Sequence, residues 1–93
     1  MPQKLALYYY DGCYFCHLVR RAIDRLGVDV ELRNVISEPR HREALQQATG
    51  RRRVPVLRID DTDGTSRWMP ESRDIVAYLE RRFTGEARAE PQR

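Results

Sequence analysis

Cysteine is scarce in this 93-residue chain: Cys13 and Cys16 are its only two. That excludes a disulfide-stapled framework, which needs several spaced pairs. Long apolar runs are missing as well. No stretch approaches the roughly 18 residues that span a bilayer. The start, Met1-Pro2-Gln3-Lys4, leads into only a short apolar run, so no secretory leader is expected. No repeat and no linker divides the chain. Charge of one sign is not concentrated either. Seventeen basic and fourteen acidic residues are mixed along the chain, for a net charge of +3. The one basic run, Arg51-Arg52-Arg53, reads first as a solvated loop. No nucleic-acid or membrane partner is expected. A monomer in the cytoplasm is, and there a lone structural disulfide would be kept reduced.

What is present suits one small domain, residues 1–84, with a polar tail at 85–93. The apolar share of 41% is ordinary for a folded protein. Leu5 to Tyr10 is a short apolar and aromatic run ending at Asp11-Gly12, a buried strand and its turn. From Phe15 the spacing becomes helical: Phe15, Leu18, Val19, Ala22, Ile23 and Leu26 form a stripe, which places Phe15 in the core. Gly27 is a natural helix stop. Val28, Val30 and Leu32 alternate with Asp29, Glu31 and Arg33, the pattern of a half-buried strand.

Ser37 and Pro39 signal a second helix, which ends at Thr49-Gly50. Val54 to Ile59 reads as a third strand, with Pro55 near its start, where a missing N–H is tolerable. Asp63-Gly64 marks a hairpin into a short strand at 66–69. Ser72 then opens a third amphipathic helix through Ile75, Val76, Leu79 and Phe83. The order β-α-β-α-β-β-α predicts an α/β domain. It has a four-stranded mixed sheet, helices on both faces, and parallel pairing of the first two strands.

The two cysteines fall where the first strand hands over to the first helix. A helix N-terminus offers unpaired N–H groups and the positive end of the dipole, both of which favour a thiolate. The thiolate is the nucleophile. Three residues on, Cys16 returns to the same face, within reach of a disulfide. A Cys-x-x-Cys pair beside a strand–helix unit reads as a thioredoxin-like redox motif. Cys13 is expected at the exposed start of the helix and activated there; Cys16 is expected to be more buried and less acidic.

Three separated segments then carry a resemblance: Cys13-Tyr14-Phe15-Cys16; Thr49-Gly50-Arg51-Arg52-Arg53-Val54-Pro55; and Glu71-Ser72-Arg73-Asp74-Ile75. Over roughly residues 4–83 the chain resembles the glutaredoxins and the related N-terminal domain of glutathione transferases. The resemblance implies a thioredoxin-like fold and a glutathione-dependent thiol–disulfide oxidoreductase with glutathione as co-substrate. Its partners would be glutathionylated or disulfide-bearing proteins. Cys13 would attack and Cys16 would resolve. Pro55 would be cis, and the Val54 backbone would pair with bound glutathione. Arg52, with Arg51 beside it, would hold the glycine carboxylate. Glu71 and Ser72 would receive the γ-glutamyl group, with Asp74 or Glu71 meeting its ammonium. Tyr14 and Phe15 could rim the substrate sulfur. Where glutaredoxins carry proline after the first cysteine, this chain has Tyr14, and Asp11 adds a negative charge that would oppose the thiolate.

Other readings of the same residues stay open. Glutaredoxins lacking that proline can hold an iron–sulfur cluster between two subunits, through the first cysteine and glutathione. A zinc site would have to combine Cys13, Cys16, His17 and His41 without a second spaced pair. A module that binds glutathione without turnover is the third; no metal is expected.

Overall fold

The computed structural model describes residues 3–85. Its elements run β1 (Lys4–Tyr9), α1 (Tyr14–Leu26), β2 (Glu31–Asn34), α2 (Pro39–Thr49), β3 (Val56–Asp60), β4 (Ser66–Met69) and α3 (Ser72–Glu80), followed by one π turn, Arg81–Gly85. The sheet order is β2-β1-β3-β4. β1 pairs parallel with β2, and the β1–β3 and β3–β4 ladders are antiparallel. The expected architecture is therefore the observed one. Most of the expected polar tail lies outside the described residues.

Alternation along β1 explains the two layers. Leu5, Leu7 and Tyr9 face one way and join Leu57 and Ile59 of β3 under α1 and α3. Ala6 and Tyr8 face the other way, where Val35, Val56 and Leu45 of α2 cover them. The first layer is the larger. α1 contributes Cys16, Val19 and Ile23, and α3 contributes Ile75, Tyr78 and Leu79. α2 buries a single residue, Leu45.

Local chemistry sets the helix ends. Gly27 and Gly50 take φ of 67° and 78°, closing α1 and α2 in the left-handed conformation that glycine tolerates. Pro39 opens α2, where its missing N–H costs nothing. The capping residue is Glu38 rather than Ser37. Asn34 supplies the turn before it, its side-chain oxygen accepting from the N–H groups of Ile36 and Ser37 at 2.8 and 2.9 Å.

Three packing expectations need correction. Phe15 is 56% exposed rather than in the core. The buried stripe of α1 begins one residue later, at Cys16, and continues through Val19, Ala22 and Ile23. Leu32 is 44% exposed because β2 is an edge strand, where alternation selects a face that no helix fully covers. Phe83 lies beyond α3, in the π turn.

Candidate active site

Cys13 is the N-cap of α1, in extended conformation at φ −93° and ψ 118°. Its Sγ accepts a hydrogen bond from the Cys16 N–H at 3.2 Å, so the helix terminus uses this sulfur as its cap. The S–H vector reaches the Val54 carbonyl at 4.0 Å. Cys13 was expected to be exposed, yet only 8% of the residue is accessible. The segment that leads into β3 folds across the helix end, and its Val54–Pro55 bond is cis.

Cys16 lies one turn deeper, at 0% exposure. Burial pushes its thiol up to about 12 from an ordinary 9.0, and the hydrogen bond to Cys13 adds to the rise. Above pH 9 an unfolded chain ionises this thiol and the folded chain does not. Its burial therefore costs stability as pH climbs from 9.0 towards about 12. The two thiols are thus unequal, although the sulfurs are neighbours and both are free. Asp11 is held by Arg20 at 3.2 Å, which offsets the negative charge expected to oppose a thiolate.

This inequality is open to chemical measurement. With iodoacetamide at neutral pH, Cys13 should be labelled before Cys16. Three pH units of elevation leave Cys16 about a thousandth of the thiolate of an ordinary thiol. Peptide mapping at short times should find label at Cys13 alone; comparable labelling of the two would contradict the geometry.

Beside the cysteines lies a cleft of ≈ 640 Å³ whose walls include Phe15, Arg51, Arg53, Val54, Pro55 and Trp68, closed by Glu71 and Ser72. Glu71 is the N-cap of α3 and the one described non-glycine residue with positive φ, 63°. An L-residue is strained there by roughly 1–3 kcal/mol, and such outliers gather at functional sites. Its side chain makes no capping bond. Ser72, the first residue of α3, lines the cleft, so the positive end of the helix dipole lies beside it.

The structure brings Val54, Pro55, Glu71 and Ser72 together in the cleft wall; neither cysteine lines it, and Cys13 reaches it through Val54, its sulfur 4.0 Å from that carbonyl, with Cys16 one turn behind. It does not bring Arg52: that guanidinium donates to the Gln46 side chain at 2.9 Å, on the α2 side. Arg51 and Arg53 face the cleft instead. Consecutive side chains in an extended segment alternate, and this parity could have selected the outer two arginines. Asp74 is exposed in the first turn of α3 and does not line the cleft. Tyr14 is 68% exposed, its ring edge-on to Phe15 at 5.4 Å. Trp68 was not singled out from the sequence; only its place on β4, on the Tyr8 face, brings it to the cleft wall. His41 sits on α2 against Tyr8 and Glu38, on the far side of the sheet from the cysteines. Among the described residues no three His, Cys, Asp or Glu side chains gather as a metal site.

A four-stranded mixed sheet with a Cys-x-x-Cys pair capping its first helix, opposite a cis X-Pro turn, defines a thioredoxin-like domain. The family described as "Glutathione S-transferase, N-terminal domain" matches residues 7–87, and the chain belongs to that family. Glutaredoxin 2 of Escherichia coli K12 is 35% identical over 77 residues, 83% of this chain and 33% of that protein. The glutaredoxin-like protein NrdH of the same organism is 36% identical over 58 residues, 62% of this chain and 70% of NrdH. The crystal structure of glutaredoxin 2 from Salmonella typhimurium in complex with glutathione superposes with a TM-score of 0.65 at 32% identity, covering 82% of this chain and 32% of that one. The chain thus spans about a third of the length of glutaredoxin 2.

Proposed function

We propose that this domain is a glutathione-dependent thiol–disulfide oxidoreductase with Cys13 as its nucleophile. One observation carries the reading: the Cys13 sulfur caps α1 through the Cys16 N–H and lies 4.0 Å from the carbonyl of Val54, a wall residue of the cleft that Glu71 and Ser72 close. Likeness to glutaredoxin 2, whose Salmonella form is solved with glutathione, supports the choice of thiol.

The Cys13 thiolate attacks the glutathione sulfur of a mixed disulfide. The Cys13–glutathione bond forms, the substrate disulfide breaks, and the substrate sulfur leaves as a thiolate that takes up a proton. A second glutathione, as its thiolate, attacks the sulfur of the bound glutathione. Oxidised glutathione departs and Cys13 returns to the thiolate. One glutathione thiol is thus consumed per turnover, and the other half of the oxidised glutathione is the glutathionyl group taken from the mixed disulfide. With a protein disulfide, Cys16 resolves the intermediate by attacking Cys13 and leaves the pair oxidised.

In this reading the Val54 backbone aligns the glutathione cysteine. Arg51 and Arg53 meet the glycine carboxylate through guanidinium forks suited to it. The α-carboxylate of the γ-glutamyl group sits on the first amides of α3 with Ser72, and Glu71 meets the ammonium. Reduction of the glutathione–mercaptoethanol mixed disulfide, with glutathione as donor and glutathione reductase as readout, is the test. Turnover is expected; none above the uncatalysed rate would end the proposal.

Glu71 separates backbone strain from charge. Glu71→Gln keeps the strained φ and removes the carboxylate, so KM for glutathione should rise about tenfold, the worth of one charge-assisted hydrogen bond, with little change in Tm. Glu71→Gly removes both. KM should rise as much while stability increases by about 1 kcal/mol, because glycine accepts positive φ. Unchanged KM in both variants would remove Glu71 from the glutathione site.

A further inference from the structure

Cys16 must act as a thiolate if it is to release a protein from Cys13, and its full burial resists that. Burial raises the Cys16 thiol and the Cys13 sulfur adds to the rise, while the guanidinium of Arg20 draws it back. Arg20 stands one turn further along α1. Cys13, Cys16 and Arg20 are spaced i, i+3 and i+7, so they share one stripe of the helix. Side chains on a helix lean towards its N-terminus, which carries this guanidinium back towards the cysteines.

Two contacts fix it there. Its central carbon lies 4.9 Å from the centre of the Tyr9 ring, and Tyr9 packs in the same buried cluster as both sulfurs. It also donates to Asp11 at 3.2 Å, in the turn that leads into Cys13. Asp11 accepts in addition from Asn34 at 3.5 Å, at the end of β2. The pair is unequally enclosed: the Arg20 side chain is 34% exposed and that of Asp11 76%. Water therefore screens the carboxylate more than the cation, and a net positive field is left on the protein side. Asp24 of α1 and Asp29 of the α1–β2 loop line a hollow with Arg20 but make no ion pair with it. From α3, Tyr78 joins the cysteine cluster, and its hydroxyl donates to Gln3 at 2.9 Å.

We propose that Arg20 is a positioning residue of the resolving step: its guanidinium, fixed by Tyr9 and Asp11, stabilises negative charge on Cys16 as that sulfur attacks the mixed disulfide on Cys13. The Cys13–Cys16 bond forms, the bond from Cys13 to the substrate breaks, and the substrate sulfur leaves as a thiolate. The proton lost by Cys16 goes to water, and the departing thiolate takes one up in its place. The inference rests on the oxidoreductase reading and deepens its second branch, the reduction of protein disulfides.

Dithiobis(nitrobenzoic acid), a disulfide whose halves leave as coloured thiolates, separates the two steps within one molecule. Attack by Cys13 releases a first equivalent. Attack by Cys16 on the resulting Cys13 mixed disulfide releases the second. Stopped-flow absorbance gives both rates, and their ratio discounts any change common to the two. Cys16→Ala should release the first equivalent alone. Arg20→Gln should lower the ratio of second to first rate about tenfold at pH 7, because the cation lies one turn from Cys16 and two from Cys13. Arg20→Lys should restore most of the ratio. Asp11→Asn should raise it, since it removes the charge that cancels part of Arg20 and leaves the cation over Tyr9. A pair that only held the turn in place would give the opposite sign, with Asp11→Asn lowering the ratio as Arg20→Gln does. An unchanged ratio in Arg20→Gln, a lysine no better than glutamine, or a ratio that does not rise in Asp11→Asn overturns the assignment and leaves Cys16 as the resolving thiol. A wild type that releases a single equivalent removes Cys16 from that role, and the inference with it. Turnover of the glutathione–mercaptoethanol disulfide, which passes through Cys13 alone, tests the oxidoreductase reading separately.

Discussion

Cys13→Ser should lower turnover of the glutathione–mercaptoethanol disulfide by about a thousandfold or more, while Cys16→Ala keeps it within a few-fold of wild type. A serine hydroxyl does not ionise near neutral pH and cannot displace a thiolate from sulfur. Nor can Cys16 take over. It is fully buried, and its thiol is pushed up to about 12, so almost none of it is nucleophilic at pH 7. The Cys16 group that supports Cys13 is its backbone N–H, at 3.2 Å, which an alanine retains. Alanine is a better probe than serine here, because at zero exposure a serine would bury a hydroxyl among Val19, Ile75 and Leu79. Reduction of an intramolecular protein disulfide should fall in both variants, since in the proposed mechanism Cys16 is the thiol that releases the mixed intermediate. Steady-state rates on the two substrate types decide the matter. Undiminished turnover by Cys13→Ser would end the role given to that sulfur.

The order of elements was legible because each carries its own punctuation: Gly27 and Gly50 past two helices, Pro39 at a helix start, Asp63-Gly64 in the hairpin. The cysteine pair, the Val54–Pro55 step and the Glu71–Ser72 pair were legible as residue types at particular junctions. What periodicity conveys is a face, not what covers it. Phe15 begins a perfectly spaced stripe, yet it is more than half exposed and lines two clefts. Leu32 alternates correctly on a strand that proved to be the edge. Cys13 sits at a helix terminus that another segment crosses, so its position predicted exposure and its neighbour removed it. Arg51, Arg52 and Arg53 are chemically identical, and only the path of the chain into β3 separates the two at the cleft from the one bound to Gln46. The positive φ of Glu71 carries no residue-type signal, because glutamate is not a residue that favours it.

Leu45→Ala should loosen α2 selectively, lowering protection of its amides by about 2–5 kcal/mol, while α1 and α3 keep most of theirs. Leu45 is the one buried side chain of this 11-residue helix, so α2 has no second apolar anchor on the sheet. The site cannot collapse to refill the space. Its neighbour Tyr8 is held through its hydroxyl, which accepts from Arg33 at 2.7 Å, and by the Trp68 ring at 5.3 Å. The effect should extend to the cleft through Thr49. Its hydroxyl donates to the Leu45 carbonyl at 2.8 Å and accepts from the Arg51 N–H at 3.2 Å, tying the end of α2 to the arginine segment. Freed from that tie, Arg51 and Arg53 lose their fixed place in the cleft wall, and on the proposed reading KM for glutathione should rise. The rate of Cys13 alkylation should not change, because its sulfur depends on α1 and Val54. Hydrogen exchange with mass spectrometry reads the first effect and steady-state kinetics the second. If protection fell equally in all three helices, the domain would open as one unit, and α2 could not be its separately loosened wall.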